Sequence, residues 1–154
     1  MRRLDSRCAR PIAAIAFVIL AILAAGATWA RAQDNMVLAI LQGRWTVTAS
    51  EHLGTASSAI TDGVMTVSGE AFEIRGTGSK MVKGTLSVDV RRRPWQIDLA
   101  LDGGKRWVGI WELVGDTLKL NYVDAAGQYP RPTTFMTAEN ADGALVTFQR
   151  VPRR

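Results

Sequence analysis

The side chains able to do chemistry are few and loosely spaced. Three pairs of carboxylates lie close in sequence, Glu70 with Glu73, Asp98 with Asp102 and Glu112 with Asp116. Two carboxyls flanking one bond can hydrolyse a glycoside, one as acid and the other as nucleophile or base. His52 is the only histidine and Cys8 the only cysteine, so a histidine-based metal site or a histidine-dependent triad lacks its parts. Residue alternation puts Asp98 and Glu112 on the outward side of strands, while Asp102 and Asp116 fall in turns. With no pair converging on a cleft, the reading is a protein that is not an enzyme, with no catalytic residue, metal or cofactor.

The elements that would position these groups are strands. Turn signals recur at Asp62-Gly63, Ser68-Gly69, Gly76 to Gly78, Asp102-Gly103-Gly104, Gly115-Asp116 and Asp142-Gly143. The runs between them are rich in Val, Ile, Thr, Trp and Leu, the residues that fit a pleated, half-buried surface. The pattern predicts strands at Arg44 to Glu51, Gly63 to Ser68, Ala71 to Arg75, Met81 to Val90, Trp95 to Leu101, Lys105 to Leu113, Thr117 to Val123, Thr133 to Thr137 and Ala144 to Arg150. A short apolar helical turn, Asn35 to Leu41, precedes the first. Eight to nine short strands at this spacing indicate an antiparallel sandwich or barrel.

Two hairpins specify their own register, because a one-residue slip turns every side chain to the other face. With Gly115-Asp116 as a two-residue turn, Leu113 faces Leu118, Trp111 faces Leu120 and Gly109 faces Tyr122, while Glu112 meets Lys119 on the opposite side. With Asp102-Gly103-Gly104 as a three-residue loop and a glycine in the left-handed position, Leu99 faces Trp107, Ile97 faces Gly109 and Trp95 faces Trp111. A two-residue loop would bury Gln96 and Asp98, at about 1–3 kcal/mol each. The interior stripe is therefore Trp95, Ile97, Leu99, Trp107, Trp111, Leu118, Leu120 and Tyr122. An eight-stranded barrel is wide enough either to be filled by such side chains or to hold one small ligand, and both alternatives stay open.

Gly43-x-Trp45 on the first strand and Arg150 on the last resemble the lipocalin and calycin signature, in which a cation stacks on the indole and closes one barrel end. Leu41-Gln42-Gly43-Arg44-Trp45, Gln96-Ile97-Asp98-Leu99, Gly109-Ile110-Trp111-Glu112-Leu113, Gly115-Asp116-Thr117-Leu118-Lys119-Leu120, Arg131-Pro132-Thr133 and Gln149-Arg150 together resemble the planctomycete-type lipocalin-like domain family. That family consists of small, often exported bacterial proteins without an established activity. The resemblance spans nearly all of Leu41 to Arg150 and implies an up-and-down (meander) lipocalin-like β-barrel, with Gly43, Trp45 and Arg150 as its structural closure. It departs from the family at Arg91-Arg92-Arg93 and near Gly76.

Four arginines within residues 1–10, an apolar run from Ile12 to about Ala30 and the small-x-small Ala30-Arg31-Ala32 have the layout of a secretory signal peptide cleaved before Gln33. An uncleaved membrane anchor is the alternative. Residues 33–154 then form one domain. Residues 1–32 hold five arginines and one aspartate, hence +4 of the overall +5. The basic balance is thus an export feature and gives no support to nucleic-acid binding. The reading is an exported, periplasmic or extracellular monomer. Its partner is either a small apolar ligand in the barrel or an envelope protein, for example a protease plugged by Gln33 to Leu38. Arg91 to Arg93 are read as a solvated loop, with contact to a polyanion as the alternative.

Overall fold

A computed structural model describes residues 35–58, 62–76, 81–137 and 143–152. Residues 1–34, which include Cys8 and the segment read as a signal peptide, and Gly78, Asp142, Arg153 and Arg154 lie outside the described residues. Helix α1 (residues 35–41) leads into nine strands. They are β1 (Gly43–His52), β2 (Thr55–Ala56), β3 (Val64–Ser68), β4 (Ala71–Arg75), β5 (Met81–Asp89), β6 (Trp95–Leu101), β7 (Arg106–Val114), β8 (Thr117–Asp124) and β9 (Gly143–Arg150). Neighbours in sequence pair antiparallel from β3 to β9, and β1 pairs with both β3 and β9, closing an eight-stranded up-and-down barrel. The two-residue β2 folds back on the end of β1 as an extra strand.

Closure rests on β1 serving two partners. Its first half, Gly43 to Thr46, pairs with β3, and Trp45 onward pairs with β9. A register shift between Val47 and Ala49 lets the strand bend between them. Trp45, Val47, Met65, Phe72, Leu86, Ile97, Leu99, Trp111, Leu118, Leu120, Val146 and Phe148 form one buried core inside the wall. Leu41 plugs one end from α1, with Val37 and Leu38 packed against the same core.

Both hairpin registers match the pairs expected from alternation, Leu113 opposite Leu118, Trp111 opposite Leu120, Gly109 opposite Tyr122, and Leu99 opposite Trp107, Ile97 opposite Gly109, Trp95 opposite Trp111. Asp102 to Gly104 form the three-residue loop, with Gly104 at φ 80°. Glu112 and Lys119 pair at 3.2 Å on the outside.

One expected strand is absent. Residues 133–137 run as irregular chain outside the barrel, because β8 already has β7 on one edge and β9 on the other and offers no free ladder. The carbonyls of Thr134 and Met136 are instead taken by the Asn121 side chain, at 2.8 and 3.2 Å.

Gly109 illustrates how tightly the wall is drawn. A Cβ there would lie 2.3 Å from the Asn121 carbonyl oxygen and 2.9 Å from Tyr122 Cβ. Gly109→Ala is therefore expected to destabilise the protein by about 1–3 kcal/mol through overpacking, read as a lower urea midpoint with an unchanged slope.

Candidate functional site

Three places could carry function: the closed end, the interior and the outer wall. At the closed end Gly43 holds φ 116°, a conformation that suits glycine, and it turns the chain from α1 into β1. Trp45 is fully buried, and its indole N–H donates to the Leu41 carbonyl at 2.9 Å. The Arg150 guanidinium stacks 4.0 Å from the indole ring centroid. Its N–H groups donate to the Ile40 and Gln42 carbonyls at 2.7 and 3.1 Å and to Asp116 at 3.2 Å. One cation thus ties β9 to β1 and caps the carbonyl end of α1, where positive charge is favoured.

Inside the wall, four of the eight expected lining residues, Ile97, Leu99, Leu118 and Leu120, face a common void, together with Leu41, Met65, Val67, Ile74 and Leu86, but its volume is about 10 Å³. A cavity needs roughly 10–15 Å³ to admit even one water, and ligand pockets run to about 300 Å³ or more. Among the described residues the barrel is filled around this void, so an internal ligand, one of the two open alternatives, has no room beside these side chains. The aromatic residues do not form one cluster either. Trp95 and Trp111 pack at 4.9 Å toward the closed end, while Trp107 stacks on Tyr122 at 4.6 Å toward the other. Trp107 and Trp111 lie four positions apart on β7, about 13 Å of strand. Burial pushes the Tyr122 phenol up to about 12, so this pair stays uncharged. Trp95 keeps its indole N–H without an acceptor beneath the Arg93 guanidinium, 4.7 Å from its ring centroid. Arg91 to Arg93 are exposed, with Arg91 and Arg92 beside Asp89.

The outer wall holds what the strand pattern missed. Ile110, Val123 and Leu145 are buried although they point away from the core, and Asn121, between Ile110 and Leu145 in register, is only 3% exposed. Residues 125–137 cross over them as a strap. Besides the two Asn121 bonds, Arg131 donates to the Ile97 and Gly109 carbonyls at 2.9 and 2.7 Å and pairs with Asp98, which also receives Arg106. At its far end the Gly54 N–H donates to the Thr137 hydroxyl at 3.0 Å. Between strap and wall lies a cleft of about 250 Å³, with Val123 and Asn121 among its lining residues and Tyr129, Pro130, Pro132 and Met136 beside them. A wider hollow of about 530 Å³ on the outside of β3 and β4 is bordered by Arg44, Asp62, Glu73 and Arg75, of which Glu73 and Arg75 pair with each other.

Four of the six carboxylates considered for hydrolysis meet cations: Glu73 with Arg75, Asp98 with Arg131 and Arg106, Glu112 with Lys119, Asp116 with Arg150. Among the described residues no three metal-ligating side chains gather. A sequence signal for the strap existed in Val108-Gly109-Ile110-Trp111, an apolar run without alternation, which indicates burial on both faces.

Two outcomes test this geometry. Arg150→Met should cost about 2 kcal/mol or more, from charge-assisted hydrogen bonds and the stacked ring, and should raise amide exchange in residues 35–41. Arg150→Lys should recover only part, because an ammonium does not reproduce the planar fork. For Asp98, burial raises the carboxyl pKa, but the Arg131 and Arg106 hydrogen bonds outweigh it and hold the group below its ordinary value. The resulting stability is present above the unfolded value and is lost as pH falls through the folded one. Below about pH 4 the wild type should lose stability more steeply than Asp98→Asn, measured by denaturant melts across pH.

No family model matches the chain, and no curated protein matches it. Among solved structures, a barrel described as "De novo design of a fluorescence-activating beta barrel" is similar at 15% identity and a TM-score of 0.42, over 71% of this chain and 93% of that one.

Proposed function

We propose that this protein is an exported, lipocalin-like, non-catalytic binding protein that holds a small ligand on the outside of its barrel, between the strap of residues 125–137 and β8. The observation that carries this reading is the contrast between an interior void of about 10 Å³ and an outer cleft of about 250 Å³. Proteins rarely leave a sizeable apolar hollow beside a well-packed core, and concave, mostly apolar sites with a few polar groups are where small molecules bind. The filled barrel then acts as the rigid support that such a site requires.

The inhibitor alternative draws less support. Val37 and Leu38, which would have to enter a protease, pack against this protein's own core. Drawing them out would expose that apolar surface and uncap the Arg150 contacts.

Native mass spectrometry of the chain purified from its own envelope fraction tests the reading. A small molecule retained by the wild type and lost from Val123→Trp, which fills the cleft, is the expected result. A molecule retained equally by Val123→Trp, or a co-purifying protease in place of any small molecule, would overturn it.

A further inference from the structure

Resting on the outer-cleft reading above, we infer that the ligand is a neutral, flat, apolar molecule, a compact aromatic compound without a formal charge. The first argument is electrostatic. Arg131 is the one charged residue lining the cleft among the described residues. Its guanidinium is spent on the Ile97 and Gly109 carbonyls and on Asp98. Asp98 in turn is shared with Arg106, so among the described residues no carboxylate at the cleft is left over to draw a cation. The Asn121 NH2 is likewise committed to two strap carbonyls. A charged ligand would shed water there without gaining an oppositely charged partner among the described residues, a cost that lining does not offset.

The second argument is shape and surface. Pro130 and Pro132 present rigid rings and contribute no N–H, and Val123 is a buried apolar lining residue. Tyr129 and Met136 are large apolar side chains left 37% and 77% exposed at the same cleft. Single exposed apolar residues are ordinary, but two on one concave site mark a surface that gains by being covered. Methionine adapts to irregular shapes and contacts aromatic rings favourably. The cleft, at about 250 Å³, is below the usual range for drug-sized ligands and selects a small one. Thr133 and Thr134 line it too and can supply a hydroxyl to a single polar substituent.

A matched pair of fluorescent probes tests the ligand class on the full chain: phenylnaphthylamine, which is neutral, and anilinonaphthalene sulfonate, which has the same rings and a sulfonate. The neutral probe is expected to bind at least 10-fold more tightly, and Val123→Trp should abolish that binding. Asp98→Asn, by releasing Arg131 from its counter-charge, should narrow the gap by improving the anionic probe. Equal affinities, a preference for the anion, or no binding of either probe would overturn the ligand class. Probe binding that survives Val123→Trp would instead overturn the cleft itself, so the two failures are distinct. Wild type and Val123→Trp alone decide the class should Asp98→Asn fold poorly.

Discussion

The rest of this molecule depends on closure of the barrel by β1 pairing with both β3 and β9, locked at one end by a cation held over an indole. Arg150 stacks on Trp45 while its N–H groups reach the last carbonyls of α1. A sheet without this closure would leave β1 and β9 as edges with unpaired backbone groups. Closure abolishes both edges, and the same contact holds α1 across one end of the barrel, where Leu41 completes the core. The guanidinium is suited to this double duty because it is planar enough to stack and carries donors around its rim.

A closed barrel with a filled interior has only its outside left for recognition. Eight strands leave little interior space, and Trp45, Trp111, Phe148 and the aliphatic residues between them occupy it. The strap is how the outside acquires depth. A segment without ladder bonds of its own is held down by two polar side chains, Arg131 and Asn121, that satisfy backbone carbonyls on the wall and on the strap respectively. The Thr134 and Met136 carbonyls find a partner in Asn121, which helps irregular chain lie over an apolar wall. Asp98, once a candidate catalytic acid by spacing, is the counter-charge that makes the tether possible.

Much of the fold was legible because period-two alternation carries register with it. Trp111 opposite Leu120 and Leu99 opposite Trp107 follow from turn length and parity alone, since any slip would have buried Asp98 or exposed the tryptophans. The closing trio was legible from residue type, as glycine, tryptophan and arginine at the ends of the chain's first and last strands. Thr133 to Thr137 misled because β propensity describes a side chain's fit to a sheet, and it says nothing about whether a sheet edge is free. Ile110, Val123 and Leu145 were visible as apolar residues on the wrong face, yet nothing local says which distant segment covers them.

The sequence by itself therefore determined the eight strands of the barrel, the hairpin registers, the inward face and the residues of the closure, because each depends on alternation or on turn chemistry within a few positions. Only the tertiary structure decided that the barrel is solid, that the aromatic residues split into two pairs, and that residues 125–137 fold over β8 to leave a cleft outside. Those outcomes depend on how volumes add up across eight strands and on contacts as far apart as Arg131 and Ile97. Packing density and long-range hydrogen bonding are properties of the assembled chain, and no local pattern encodes their sum.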